Sequence, residues 1–425
     1  MTAAAEIHAG PPFLGRARDM KRSLTLLLAG EGIGYAGVSV RAVALPALAV
    51  LYLDAEPGQI ALLACAAKLP ALVFALPAGV ALDRHPLRTI LISTNLTAAA
   101  LVSVIPLAAS LDWLSMPLLY AVALALGTVA TLHSAASLAA VPVLATTGQL
   151  HEAHARLTSV VTIAGTVGSA LGTFLVAAVG SARGFGADAV SHLISAWCAF
   201  RIRALPAPDG DQAERRSVIR EIREGISHCA DDAVLRPLLL ALAVTGIGDG
   251  LISTLLPYHL LAGVEVGTTG LGMIMGAGSL GGLTGARLAP RLARRYGTGT
   301  VLVCAWPVYA LMHVPPLLAR PGPAWLAILV VSGFLQWATA TCIGTTQRSV
   351  QQLTSPVRLR SRVQQTSLWL TTGMVPLTAL AAGVLTTFTS VRTVMAIGTL
   401  ILILSVAPLW RLPIRHLLAT DEGAR

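Results

Sequence analysis

Charge is scarce in this chain. Asp, Glu, Lys and Arg make up 12% of its 425 residues, about half the ~25% of a typical soluble domain. Lysine is nearly missing, with only Lys21 and Lys68; we read that as the codon bias of a GC-rich genome, not as chemistry. Aromatic residues amount to 5%, and no basic groove interleaved with them can be assembled. The net charge of +10 is therefore not the footprint of a nucleic-acid binder. The cysteines are odd in number (Cys65, Cys198, Cys229, Cys304 and Cys342) and offer no extracellular pair, which argues against a disulfide framework. A cleavable signal peptide is not evident. The first apolar run is long, carries Glu31 and Arg41, and lacks a small-residue cleavage site. No nucleophile, base and oxyanion arrangement can be built, and no metal-binding or cofactor motif stands up, so the chain does not read as an enzyme.

What is abundant is apolar sequence. Hydrophobic residues reach 55% and the mean hydropathy is +0.73. Twelve runs are each long enough to cross a bilayer, which takes ~20 residues. They cover 24–48, 60–82, 90–110, 114–134, 158–180 and 184–202, then 236–260, 269–290, 298–318, 323–343, 364–388 and 391–412. The cations sort by side. The N-terminal tail and the even-numbered gaps hold 25 of the 30 Lys and Arg residues, from Arg16 and Lys21 through Arg84, Arg88 and Arg156 to Arg411. The odd-numbered gaps hold only Arg183, Arg320 and Arg392. Short loops keep their cations in the cytoplasm, so both termini are expected inside a multi-pass plasma-membrane protein. The basic loops would also lie against anionic lipid headgroups.

The runs form two sets of six. Residues 1–23 are a tail, 24–202 a first half, 203–235 a cytoplasmic linker, 236–412 a second half and 413–425 a second tail. The linker opens on Pro206-Ala207-Pro208-Asp209-Gly210-Asp211, then places Ile219, Ile222 and Ile226 on one helical face opposite Arg220, Arg223 and Glu224. The halves match at an offset of 211: Gly37 with Gly248, Leu45-Pro46 with Leu256-Pro257, and Thr89-Ile90-Leu91-Ile92 with Thr300-Val301-Leu302-Val303. Such parallel six-span repeats are one of the transporter architectures.

Between runs two and three stands Gly79-Val80-Ala81-Leu82-Asp83-Arg84, followed by Arg88. This resembles the G-x-x-x-D-R loop signature of the major facilitator superfamily, although Leu87 takes a place where that family often has a second base. The resemblance implies an all-α fold of twelve transmembrane helices in two pseudo-symmetric halves, with Gly79, Asp83, Arg84 and Arg88 as a conformational latch. It extends over nearly the whole chain. Ala44-Leu45-Pro46, Gly186-Ala187-Asp188-Ala189-Val190-Ser191, Glu221-Ile222-Arg223-Glu224-Gly225 and Pro356–Val363 are similar to segments of the exporter branch that contains siderophore exporters and macrolide-type efflux proteins. That branch implies proton-coupled export of a small molecule. Gly168-Ser169 and Gly172-Thr173 in run five resemble the antiporter signature G-x-x-x-G-P-x-x-G-G, with Ser169 for the proline and Thr173 for the last glycine. Small residues four apart let helices approach closely, as do Gly278/Gly282 and Gly281/Gly285 in run eight. Run four lacks the arginine that drug antiporters often carry there, and His133 is its only ionisable side chain.

Three other patterns carry little. Gly276-Ala277-Gly278-Ser279-Leu280-Gly281 spells a dinucleotide fingerprint inside an apolar helix with no strand before it. His151-Glu152-Ala153-His154 is one residue short of zinc-helix spacing. Asn95-Leu96-Thr97 is a glycosylation triplet buried in run three.

An ionisable group at mid-bilayer costs about 2.5–3.5 kcal/mol, so it needs a function or a partner. Glu31 lies ~13 Å in from Arg22 and Asp249 ~20 Å in from Arg236, each near the middle of its run. Glu31, Tyr35, Val38 and Arg41 share a stripe. Asp188 and His192 are four apart on run six and can face each other. Glu31, Asp249, Asp188 and His192 are thus proton-coupling candidates, although Arg41 or Lys68 could equally tie a carboxylate into a structural ion pair. Arg41, Lys68, Tyr35, Gln336, Trp337, Trp369 and Tyr258 are candidates to line a substrate cavity; some could instead anchor at the interface.

The expected function is secondary active export of a small amphiphile, antibiotic-like or siderophore-like, by proton antiport and alternating access. The expected partners are substrate, protons and lipid, and the expected state is a monomer. An importer or lipid translocator on the same fold is one alternative. A non-transporting receptor or scaffold is another, disfavoured by short loops and unpaired membrane charges.

Overall fold

The computed structural model describes residues 11–144, 150–202, 227, 231–356, 363, 366–367, 370–371 and 373–410. Every element among them is helical: α1 Pro11–Leu51, α2 Pro57–Arg84, α3 Leu87–Ser110, α4 Met116–Leu144, α5 Leu150–Val179 and α6 Ser181–Arg201, then α7 Leu235–Tyr258, α8 Gly267–Tyr296, α9 Thr298–Leu311, α10 Val314–Leu318, α11 Pro323–Thr354, α12 Val375–Phe388, α13 Val391–Leu404 and α14 Ala407–Trp410. Eight stretches of helix among the described residues are long and apolar enough to cross a membrane by themselves. In chain order the bundle makes twelve crossings in two groups of six. α9 with α10 form one crossing, and α13 with α14 another.

The apolar runs locate the helices, but the helices outrun them at the end that carries the termini. α4 continues to Leu144, α5 begins at Leu150, and α11 continues through Thr345, Gln347, Arg348 and Gln351 to Thr354. Hydropathy registers only the part in oil, whereas intrahelical hydrogen bonding extends into polar sequence. The ninth run is not one helix. α9 stops at Leu311, His313 sits in the break, and α10 restarts beside Pro315 and Pro316. Prolines cannot donate to the preceding turn, so they start a helix more readily than they continue one. α7 ends in a π-helical turn over His259–Gly263. Its other end is capped by Asp232, whose Oδ1 accepts from the amides of Val234 and Leu235 at 2.8 Å each. The central linker helix, the tail beyond 410, Pro356–Val363 apart from Pro356 and Val363, and Trp369 lie outside the described residues.

Small residues set the helix seams. A Cβ on Gly37 would lie 1.9 Å from Ser191 Oγ of α6, and one on Gly248 would lie 2.7 Å from Gly398 O of α13. Positions 211 apart therefore press the first helix of each half against the last helix of the same half. In α5, added Cβ atoms at Gly168 and Gly172 would come within 2.7 Å of the Cα atoms of Ala36 and Val40 on α1. In α8, Gly281 and Gly285 would meet Phe334 O and Ala338 O of α11 at 2.0 and 2.2 Å. A backbone oxygen cannot rotate away. We therefore predict that Gly281→Leu costs at least the ~1–3 kcal/mol of an overpacked core and sharply lowers the detergent melting temperature. Gly276→Leu, with nothing near its added Cβ, leaves the melting temperature close to the parent's.

The two halves meet unequally. At the end opposite the termini one apolar core crosses between them, joining Val43, Leu48, Ile60, Val102, Leu119 and Phe185 to Leu260, Leu261, Val264, Leu271 and Leu329. At the end that bears the termini, the described cores stay within one half: Leu27, Leu91, Val141, Leu157 and Ile202 in the first, and Ala289, Val301 and Cys342 in the second. α2 packs on α12 and α5 on α8 across the divide. The bundle is sealed at the far end.

Candidate functional site

The seams dictate where the polar side chains of α1 go. Gly30, Gly34 and Gly37 lie against α6, where Ser195 Oγ donates to Gly30 O at 2.6 Å. Gly165, Gly168 and Gly172 bring α5 onto another face. The stripe left over is Glu31, Tyr35, Val38 and Arg41, and all four line a cavity of about 450 Å³. Its other walls come from α3 (Thr94, Asn95, Ala98), α4 (Leu126, Val129, His133), α5 (Leu157, Val161) and α6 (His192). The volume suits a small organic molecule.

Two polar chains run through this wall. Arg41 Nη1 donates to Asp188 Oδ2 at 2.7 Å, and Asp188 is fully buried. Asp188 Oδ1 faces His192 Nε2 at 3.4 Å without hydrogen-bond geometry. His192 Nδ1 lies 3.0 Å from Asn95 Oδ1. Because Asn95 Nδ2 is committed to Leu91 O, Asn95 Oδ1 accepts and His192 Nδ1 carries the proton. The second chain is Thr94, His133 and Glu31. Thr94 Oγ1 donates to Ile90 O at 2.7 Å and lies 3.0 Å from His133 Nδ1. Its hydrogen is already used, so the ring donates to it. The other ring nitrogen, Nε2, is 3.1 Å from Glu31 Oε1. At that distance the two atoms can share one proton. The pair is either imidazolium with carboxylate or neutral imidazole with carboxylic acid.

The second half has its own cluster. Tyr309 Oη donates to Asp249 Oδ1 at 2.8 Å, and His313 Nε2 stands 3.5 Å from the same oxygen. Gly248 and Gly250, on either side of Asp249, abut α13 and Thr378 of α12. Asp249 is thereby turned away from those two helices. Gln336 Nε2 lies 2.9 Å from His313 Nε2.

The remaining candidates are dispersed. Lys68 on α2 is not among the residues that line the cavity. Trp337 packs over Gly278 of α8 and is 55% exposed. Tyr258 borders the core that joins the halves. His259 Nε2 donates to Pro316 O at 2.9 Å, tying the π-turn to α10. Ser169 Oγ returns to Gly165 O within its own helix. Gly79, Asp83 and Arg84 fall in the last turns of α2, and their side chains lie outside the described residues. Arg88 donates to Phe200 O and lies 5.1 Å from the centre of the Phe200 ring, within the first half. Among the described residues no group of three His, Cys, Asp or Glu side chains could hold a metal ion.

Sequence reasoning missed His133 as the partner of Glu31, and missed Tyr309 and His313 altogether. A signal was present in the second case, since Tyr309 and His313 are four apart and share a helical face. Asn95, set aside as part of a buried glycosylation triplet, fixes the His192 tautomer.

Residues 22–425 match the family described as transmembrane secretion effector. Over 326 residues the chain is 27% identical to the uncharacterized MFS-type transporter y4rN of Sinorhizobium fredii, a match spanning 76% of this chain and 78% of that one. The fold is similar to that of a point mutant of the nucleoside transporter NupG, with TM-score 0.71, 12% identity, and coverage of 91% of this chain and 99% of that one. It is also similar to a bacterial homologue of the iron transporter ferroportin in an inward-facing state, with TM-score 0.68, 16% identity, and coverage of 92% and 98%.

Proposed function

The chain belongs to the transmembrane secretion effector family of the major facilitator superfamily and is a membrane transporter, and from that premise we propose that it exports a small amphiphilic molecule in exchange for protons. The observation that carries this reading is the Glu31–His133 pair, 3.1 Å apart, in the wall of a cavity that sets polar side chains such as Asn95 and His192 beside an apolar surface of Val38, Ala98, Leu126, Val129, Leu138, Leu157 and Val161. Apolar surface beside polar anchors suits an amphiphile. A substrate that hydrogen-bonds to Glu31 competes for that oxygen and favours release of the proton. An empty site takes the proton back.

Two supports favour this direction: the family's description as a secretion effector, and the loop cations that would keep the termini in the cytoplasm. With that orientation the sealed end faces outward and the cavity belongs to an inward-facing state. Gly79, Asp83, Arg84 and Arg88 would then act at the cytoplasmic end, with Arg88 held on Phe200 in this state. The two carboxylates differ in role. Asp188 is buried against Arg41 and positions helices, whereas Glu31 borders the cavity.

The test uses everted membrane vesicles with an acid interior and ethidium as the transported probe. Parent vesicles should accumulate ethidium when the gradient is imposed, and Glu31→Gln vesicles should not. Equal accumulation by parent and Glu31→Gln, at matched protein levels, would overturn the assignment. Accumulation only when the gradient is reversed would favour an importer.

A further inference from the structure

We propose that the second half holds a proton-binding site of its own, formed by His313, Asp249, Tyr309 and Gln336 where the ninth crossing breaks. This rests on the transport reading for its purpose, but not for its chemistry.

The donor and acceptor accounting is tight. His313 Nδ1 lies 2.9 Å from Tyr309 O. A carbonyl oxygen can only accept, so Nδ1 carries a hydrogen in every state of the ring. The ring can therefore change its charge only at Nε2. That atom has two neighbours, the Gln336 amide nitrogen at 2.9 Å and Asp249 Oδ1 at 3.5 Å. With an amide N–H pointing at it, Nε2 is an acceptor and the ring is neutral. Its lone pair then points toward a carboxylate whose Oδ1 is already held by the Tyr309 hydroxyl.

A proton resolves this arrangement. It enters at the Asp249 carboxylate, whose side chain is 42% exposed, and passes to Nε2 of the ring, which is 2% exposed. The product is an imidazolium beside a carboxylate, so the pair goes from a net charge of −1 to zero and no second proton moves. The Gln336 amide must then turn its oxygen to the new N–H, because its own N–H groups can no longer donate there. One proton and the turn of the Gln336 amide distinguish the two states.

The break in the helix is what makes room. His313 lies between α9 and α10, so its ring is not confined to the face of a continuous helix. On α9, the Tyr309 ring packs edge-on against His313 at 4.9 Å. From α7 comes Asp249, and from its π-turn comes His259, committed to Pro316 O. From α13, Arg392 donates to Ala319 O. α11 contributes the uncharged Gln336. Broken helices recur where transporters hold ions, because the break frees backbone groups and admits side chains. The charged form, with its amide reversed, changes the α9–α11 contact through Gln336.

The experiment needs no substrate. The full chain, labelled with ¹⁵N-histidine and reconstituted in lipid nanodiscs, is titrated while the ring nitrogens are followed by NMR. The His313 signals are identified by their disappearance in His313→Gln, or by their displacement in Gln336→Ala should the first variant not fold. The expected result is a neutral Nδ1–H ring in alkaline buffer that becomes imidazolium on acidification, and that stays neutral over the same range in Asp249→Asn. A ring that never protonates, or one that protonates equally well without the Asp249 carboxylate, overturns the proposal. Loss of gradient-driven ethidium movement by the parent, with this titration intact, would count against the export reading and leave the site standing.

Discussion

Replacing Arg41 with alanine should cost about 3–5 kcal/mol, the penalty for removing one partner of a buried ion pair. Asp188 has no exposed surface, and Arg41 Nη1 is its one hydrogen-bonding partner among the described side chains, at 2.7 Å. Without the guanidinium, Asp188 is an uncompensated anion inside the seam of α1 and α6. Gly37 packs close on its other side, where an added Cβ would lie 2.7 Å from Asp188 Oδ1. The expected outcome is a large drop in detergent melting temperature and in the yield of folded protein. The double variant Arg41→Met with Asp188→Asn removes both charges while keeping the shapes, and should recover most of the stability. If the single variant melts with the parent, the pair is not the structural tie argued here. If the double variant melts as low as the single, the loss is one of packing rather than of an unpaired charge.

The same pair shows what the sequence could and could not convey. The stripe of Glu31, Tyr35, Val38 and Arg41 was legible, because helical periodicity alone puts them on one face, and that face lines the cavity. The proximity of Asp188 and His192 was legible for the same reason. The partner of Glu31 was not, because His133 lies 102 positions away on α4 and only tertiary packing brings the two together. The crossings were legible from hydropathy, and the two halves from the cationic loops and the 211-residue offset. The break at His313 was hidden, since Val314, Pro315, Pro316, Leu317 and Leu318 continue an apolar run without interruption. Composition reports depth in the membrane; it does not report whether the backbone is continuous. The glycines were legible as packing residues, but not which helix each would receive. Gly168 and Gly172 meet α1, whereas Gly281 and Gly285 meet α11.

Three imidazoles end up in one arrangement. His133, His192 and His313 each have Nδ1 beside a committed acceptor, and each turns Nε2 toward a carboxylate at 3.1, 3.4 and 3.5 Å respectively. The acceptors differ: a threonine hydroxyl, an asparagine amide and a backbone carbonyl. A fixed Nδ1 leaves Nε2 as the one titratable atom, aimed at the group best placed to give or take a proton. The two halves thus hold the same arrangement at positions the 211-residue repeat does not relate.

Cross-linking the sealed end should stop transport completely. A Cβ on Gly383 of α12 would lie 3.0 Å from the Ala61 Cβ of α2, so Ala61→Cys with Gly383→Cys needs a separation of only about half an ångström to reach disulfide geometry, whose Cβ atoms sit ~3.5–4.5 Å apart. The pair belongs in a background without Cys65, Cys198, Cys229, Cys304 and Cys342. Small residues at Gly58, Ala61 and Gly383 let the two helices touch at this end, and the continuous apolar core from Val43 to Leu329 closes around them. Any cycle that carries cargo from one side to the other must part these helices once per turn. A covalent tie there holds the cavity on the side of the termini, where it can still fill but cannot discharge. The oxidised double variant should therefore bind ethidium without moving it, and a reductant should restore movement. Transport by fully cross-linked protein at the parent rate would mean that the sealed end never opens, and the alternating use of the two ends would have to be abandoned.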